Sequence, residues 1–144
     1  VDCAKLAQVW RQDLGYREGF DWERPATWSR DKHYASADRE LPNGETDPIA
    51  VARANARELQ VSADSQPWRR LIGLRPATRP ELEISLRDGI FSTLWLLCNG
   101  ARSLPLECDS RSEAELLQRW IGAPGATVHS LAALRAQLGS AVPA

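Results

Sequence analysis

Methionine is absent from the sequence, and lysine, histidine and cysteine are scarce, with two, two and three residues among 144. Long apolar runs are absent too, since none approaches the roughly 20 residues that a membrane-spanning helix needs. Two histidines without clustered Cys/His spacing do not predict a metal site, and no cofactor is expected. The net charge of −1 gives neither a nucleic acid nor an anionic membrane a strong electrostatic attraction. The expected partner is therefore another protein.

The three cysteines, Cys3, Cys98 and Cys108, are an odd number. A secreted disulfide scaffold usually has more cysteines and an even count, so we expect a reducing compartment, the cytoplasm. The first residue is Val1 rather than Met, which predicts that the chain was processed or excised from a longer one. A removed upstream signal or anchor is the open alternative to a cytoplasmic location.

The composition predicts a single bacterial domain over residues 1–144. The hydrophobic fraction of 43% and the charged fraction of 26% are ordinary for a soluble globular protein, and the length fits one domain. A chain of this size buries enough surface to fold without a disulfide or a metal. Arginine outnumbers lysine by 16 to 2, a bias that is typical of GC-rich bacterial coding sequences.

The first half of the chain carries two helix signals. Apolar residues at three- and four-residue spacing predict an amphipathic helix over residues 2–14, with Asp2 as its cap. Asp47 as a cap and Pro48 at the first helical position predict a second helix over residues 47–60. Between these helices, residues 15–47 follow neither the helical nor the strand period, so we expect only short strands or turns there.

The C-terminal part of the chain predicts two more helices. Ser110 and Glu113 have the spacing of a capping box, in which each residue satisfies a backbone donor near the other. Ser130 has the position of a cap for a last helix over residues 131–138, which Gly139 is expected to end.

Three strand-like runs occupy residues 81–87, 90–98 and 101–108. They are separated by Asp88-Gly89 and Asn99-Gly100, and both dipeptides are preferred centres of two-residue hairpin turns. Pairing through both turns gathers most apolar side chains on one face and most polar ones on the other. The sequence thus predicts a three-stranded antiparallel meander. With helices packed on one face of this sheet, the fold class is α+β.

The predicted meander also determines how the two later cysteines relate. Its register puts Cys98 beside the second turn and Cys108 seven residues along the ladder, on the opposite face. At about 3.4 Å per residue their separation is roughly 24 Å, far beyond the roughly 7 Å that a disulfide allows between Cα atoms. We therefore expect no disulfide or shared metal site, and we expect Cys108 to serve as a small apolar residue of the core face.

Aromatic residues concentrate near the N-terminus, where six of the ten fall within 25 residues. Trp, Tyr and Arg dominate the energetic centres of protein interfaces, so this segment predicts a partner-binding surface. The alternative is that these aromatic residues form a small hydrophobic cluster in which the segment folds over the sheet. An arginine-rich stretch over residues 68–79 adds a candidate patch for an acidic partner, with a solvated face as its alternative. The predicted partner-binding residues are Trp22, Trp28, Tyr34, Trp68, Arg69 and Arg70.

Catalytic residue types are few. Asp31 near His33 would suit an oriented general base. Alternate carboxylates such as Glu81 and Glu83 share one face of a strand, as divalent-metal nucleases and glycosidases require. Solvated side chains explain both patterns more simply, so no residue is assigned as catalytic. The other alternate carboxylate pairs are Asp21 with Glu23, Asp38 with Glu40, and Glu107 with Asp109.

Taken together, these observations predict a non-enzymatic protein-binding module: a bacterial regulator, an adaptor or an immunity-type protein. The first alternative is a small hydrolase that uses Asp31 and His33 or the paired carboxylates. The second is a soluble domain of a larger secretion or envelope assembly, which the missing start methionine suggests. Neither a phosphate-binding glycine loop nor a nucleophile-elbow motif occurs in the sequence.

Overall fold

The computed structural model describes residues 1–13, 27, 32–41, 50–62 and 78–141. Its helices and strands confirm the predicted α+β class. In chain order they are α1 (Cys3–Asp13), α2 (Lys32–Glu40), β1 (Ala52–Ser62), β2 (Thr78–Leu86), α3 (Ile90–Cys98), β3 (Leu106–Glu107), α4 (Arg111–Ile121) and α5 (Leu131–Ala141). None of the described helices is both long and apolar enough to cross a bilayer.

The described strands form one mixed sheet in the order β2-β1-β3. Strands β1 and β2 are antiparallel, and their register places Ala54 opposite Leu86. Strand β3 is short and runs parallel to β1, with Ala52 opposite Leu106. The sheet is therefore not the antiparallel meander that the sequence predicts.

The predicted middle strand, residues 90–98, is helix α3. Both flanking glycines have positive φ, 68° at Gly89 and 76° at Gly100, as the predicted hairpin turns require. Here, however, Gly89 is the N-terminal cap of α3, and the amides of Gly100 and Ala101 donate to the last carbonyls of that helix. Left-handed glycines end helices as readily as they make hairpins, so this signal did not distinguish the two structures.

Only part of the predicted third strand, residues 101–108, is a strand. Leu106–Glu107 pairs with β1, and Ser103 forms an isolated antiparallel bridge with Asp2. Pro105 between these two sites has no backbone donor for a ladder. The pairing here is thus short, and it involves β1 and the N-terminus rather than a neighbouring hairpin strand.

The helix predicted over residues 47–60 is also wrong, because Ala52–Ser62 is strand β1. Its buried positions alternate, with Ala52, Ala54 and Ala56 facing the core. This period of two was obscured by the cap-like Asp47 and Pro48, which lie outside the described residues. Three small side chains on one face leave room for helices to approach the sheet closely.

The core lies on the face of the sheet that carries these alanines. Leu82 and Ile84 of β2 are buried there with Leu6 and Trp10 of α1, and α4 adds Leu117 and Ile121. Each fully buried large apolar side chain contributes about 1.5–3 kcal/mol. This core holds α1 and α4 against the sheet.

Of the predicted helix caps, those at Asp2, Ser110 and Ser130 are confirmed, and Asp47 lies outside the described residues. The Lys5 amide donates to Asp2 at 3.0 Å in α1, and Ser110 and Glu113 form the complete capping box of α4. Ser130 accepts from the Ala133 amide in the first turn of α5. The predicted end of this last helix is wrong, since α5 continues through Gly139 to Ala141.

Helix α2 lies within the stretch where no long element was predicted. It is joined to α3 by two side-chain hydrogen bonds: Trp95 Nε1 donates to Asp38 at 2.8 Å, and Asn99 Nδ2 donates to the Tyr34 hydroxyl at 3.2 Å. Helix α2 is thus attached to α3 by polar groups that are partly exposed.

Candidate functional site

A groove of about 630 Å³ lies between the β3 segment, helix α4 and the chain that leads into α5. One wall runs along residues 105–111, and the other comes from residues 126–134. The apolar side chains that line it include Val51, Leu106, Leu117, Val128, Leu131 and Leu134.

The groove collects exposed hydrophobic side chains. Among the described residues, the large hydrophobic side chains that are exposed are Val51 at 47%, Leu131 at 53% and Leu134 at 38%. All three line the groove. Single exposed leucines are common on protein surfaces, but a contiguous apolar patch is typical of an interaction site. This coincidence distinguishes the groove from the rest of the described surface.

Local hydrogen bonds explain why the second wall has this shape. The Ser130 cap fixes the start of α5, and residues three apart share one helix face, so Leu131 and Leu134 point the same way. The Gln118 side chain of α4 donates to the Ala126 carbonyl at 2.6 Å. Thr127 and His129 are joined side chain to side chain at 2.5 Å. The Gln118 bond attaches the connection between α4 and α5 to α4 beside the groove.

The carboxylates at the groove are paired with arginines of the sheet. Glu107 binds Arg53 at 3.0 Å, and Asp109 binds Arg87 at 2.8 Å. Exposed pairs of this kind contribute little to stability, about 0–1 kcal/mol each. Their effect at the groove is to neutralise the acidic side chains of this wall.

Cys108 is the half-buried thiol at the groove. Burial is the main cause that raises its pKa, to about 11, and the carboxylates of Glu113, Asp109 and Glu107 add to the effect. A thiol with this pKa is protonated near pH 7, whereas a nucleophilic cysteine needs a lowered pKa. His129 also lines the groove but is exposed and bonded to Thr127. Near pH 7 the Cys108 thiol therefore lacks the thiolate form that a cysteine nucleophile requires.

The chain matches a family model with the description "PFIN: Plasmid Fertility inhibition factor" over residues 1–122. The chain belongs to this family. Comparisons with the curated proteins and with the solved structures gave no match. Membership of a plasmid fertility inhibition family agrees with the predicted bacterial, regulator-type protein.

The plasmid fertility inhibition match covers helices α1 to α4 and the whole sheet. The wall of the groove along residues 105–111 lies inside the matched region, as does α4. The opposite wall, residues 126–134, follows the end of the match. The groove therefore lies at the junction between the family region and helix α5.

Most predicted partner-binding residues of this plasmid fertility inhibition family member lie outside the described residues. Tyr34 is described: it is half-buried in α2, and its hydroxyl accepts a hydrogen bond from Asn99. It does not line the groove. The predicted residues outside the described part are Trp22, Trp28, Trp68, Arg69 and Arg70.

Most of the described carboxylates considered for catalysis are ion-paired, and Asp38 instead accepts the hydrogen bond from Trp95. Glu83 pairs with Arg57, whose hydrogen bond lowers the pKa of that carboxyl group. Glu81 lies 3.9 Å from Arg79. A lowered pKa makes Glu83 a poor general acid at neutral pH. Asp31 and the side chain of His33 lie outside the described part of the chain.

No cluster of three or more His, Cys, Asp or Glu residues suited to a metal ion occurs among the described residues. The three cysteines are free thiols, so the expectation that Cys98 and Cys108 form no disulfide is confirmed. Its reason was wrong, since Cys98 ends helix α3 and does not lie beside a hairpin turn. Cys108 is half-buried rather than fully buried.

The sequence did not reveal the groove because its two walls are separate segments. The sequence places residues 105–111 in a strand and a helix cap, and Leu131 and Leu134 in the last predicted helix. A helical stripe has the same spacing whether it faces a core or solvent. Only the arrangement of α5 against the domain shows that these leucines are exposed.

Proposed function

We propose that this protein lowers the transfer of a plasmid between bacteria by binding a protein of the transfer machinery at the groove. The family description, plasmid fertility inhibition, supports the biological process. The exposed Val51, Leu131 and Leu134 at one groove are the observation that carries the binding surface.

Energetics favour this surface as a binding site. Apolar area removed from water contributes about 25 cal/mol per Å², so covering the three exposed side chains is favourable. The neighbouring acids already have arginine partners in Arg53 and Arg87. A partner would therefore cover the wall at residues 105–111 without burying an unpaired carboxylate, which is the costly event at an interface.

A binding role also fits the chemistry of the groove better than the hydrolase alternative. The Cys108 thiol has a raised pKa, and the nearby carboxylates Glu107 and Asp109 are ion-paired. Inhibition by binding needs no nucleophile. The regulator would act by occupying a surface that its partner needs for plasmid transfer.

The aromatic segment remains a second predicted contact surface. Trp22 and Trp28, with Tyr34 at its end, have the residue types that dominate interface energetics. Trp68, Arg69 and Arg70 would add a patch for an acidic region of the partner. We expect these residues to enlarge the interface, while the groove supplies its apolar centre.

We place this binding in the cytoplasm of the plasmid-bearing cell, where free thiols such as Cys98 and Cys108 remain reduced. The test is a mating experiment with donor cells that carry a transmissible plasmid and express this protein or an empty vector. Expression in donors is expected to lower the number of plasmid-bearing recipients per donor. An unchanged transfer frequency at normal protein levels would refute the proposed function.

A further inference from the structure

We infer that the occupant of the groove is an extended segment of the partner protein, which adds as a new strand along the outer edge of β3. This inference deepens the proposed function and rests on it. Three observations favour this mode of binding: an open strand edge, a pairing that already leads into the groove, and apolar side chains beside that edge.

The first observation is the position of β3 at one side of the sheet. In the order β2-β1-β3, only one side of β3 is paired, and that side is taken by β1. Among the described strands none pairs with its outer side. Unpaired backbone donors and acceptors of an edge strand are a template for another strand. The same residues, Leu106 and Glu107, line the groove.

The second observation is that the segment before β3 already pairs with extended chain. Asp2 forms an antiparallel bridge with Ser103, and Val1 and Leu104 exchange two backbone hydrogen bonds of 2.8 and 3.1 Å. Val1 itself lines the groove. The segment that leads into β3 therefore already has the extended backbone that pairing with another strand requires.

The third observation is the placement of apolar side chains beside the edge. A strand projects every second side chain to the same side, so apolar residues at alternate positions would cover Leu131 and Leu134. A helical occupant satisfies its own backbone and would leave the β3 edge unpaired. The groove therefore favours an extended segment with alternating apolar residues over an amphipathic helix.

Charge adds a further feature to the occupant. Glu107 and Asp109 are neutralised by Arg53 and Arg87, so this wall does not require basic residues on the partner. Arg111 also lines the groove and pairs with Glu115 at 2.7 Å, so it does not require an acidic residue on the partner either. We expect the bound segment to be apolar at alternate positions and uncharged between them.

The experiment is selection from a library of random peptides against the folded protein. The expected result is a set of sequences with apolar residues at every second position. These peptides should lose binding to the double variant Leu131→Arg with Leu134→Arg and keep it with the matched variant Ala132→Arg with Ala133→Arg. Both variants add the same charge to α5, but Ala132 and Ala133 are exposed and do not line the groove.

Backbone methylation then tests the strand pairing itself. In a selected peptide, N-methylation of one alternate set of residues should weaken binding by at least about tenfold, and methylation of the other set should have little effect. Circular dichroism and urea unfolding of both double variants establish that they are folded.

Three results would overturn the inference. They are selected sequences with helical three- and four-residue spacing, equal binding to the two double variants, and equal tolerance of methylation at both sets of positions. None of these results concerns plasmid transfer. The mating experiment tests the proposed function separately, so the failure of one can be told from the failure of the other.

Discussion

Gly89 lies directly against Ala52. A Cβ atom built on Gly89 would be 2.8 Å from the Ala52 Cβ and 2.9 Å from its Cα, and the glycine has φ of +68°. Strand β1 and the start of helix α3 are therefore in contact at a position where only glycine fits. This contact fixes how α3 leaves the sheet.

We predict that Gly89→Ala destabilises the protein more than Gly100→Ala. Both glycines have positive φ, but a Cβ at Gly100 would meet nothing within 4 Å. The left-handed conformation alone costs an alanine about 1–2 kcal/mol, and overpacking against Ala52 adds about 1–3 kcal/mol. Urea unfolding of the two variants measures the difference. Equal losses in the free energy of unfolding would show that the contact with Ala52 is not tight.

The same two glycines illustrate what could be predicted from the sequence. The Asp-Gly and Asn-Gly pairs correctly predict positive φ at the two glycines. The predicted hairpin turns also need positive φ at Asp88 and Asn99, and neither residue has it. The element between the two glycines was not predicted correctly either. Residues 90–98 are apolar at most positions, and such a short run fits a buried strand or a buried helix equally well. Gly89 and Ala52 are far apart in the sequence, so the local pattern of residues could not predict their contact.

Two helix starts were predictable because their signal is local. The cap of α1 at Asp2 and the capping box of α4 at Ser110 and Glu113 use residues three apart, and no tertiary contact is needed to form them. Strand β1 was missed for the opposite reason. Its alternation of alanines is meaningful only when β2 lies beside it.

We predict that Asp38→Ala loosens helix α2 from α3. Asp38 accepts the hydrogen bond from Trp95 Nε1 at 2.8 Å, and a hydrogen bond to a charged group contributes about 1.5–3 kcal/mol, with less expected at this exposed site. Amide hydrogen exchange within residues 32–40 should accelerate in the variant. Asp38→Asn keeps an acceptor and serves as the control. Unchanged exchange in Asp38→Ala would mean that other contacts hold α2.

We predict that the rate at which iodoacetamide alkylates Cys108 goes on rising to a higher pH than the rate of an ordinary cysteine does. Its pKa is raised to about 11, against about 8.5 for a free cysteine. The labelling rate, measured at Cys108 by mass spectrometry, should therefore still rise at about pH 10, where a free thiol has levelled off. The chain unfolded in urea is the control, and a rate that levels near pH 8.5 in the folded protein would contradict the prediction.

The same shift has a consequence for stability. The folded-state pKa is above that of the unfolded chain, so the protonated thiol stabilises the fold at lower pH. This contribution is fully present below about pH 8.5 and is lost as the pH rises towards 11. Cys108→Ala should remove this part of the pH dependence. Asp109→Asn should lower the pKa, because it removes one of the raising charges.

The most direct test of the account compares the two α5 double variants in donor cells during mating. We predict that Leu131→Arg with Leu134→Arg no longer lowers plasmid transfer, because charged side chains replace the exposed apolar ones at the groove. Ala132→Arg with Ala133→Arg should inhibit transfer as the unchanged protein does. If the leucine variant is folded, is present at the same level and still inhibits transfer fully, the groove is not the surface through which this protein acts.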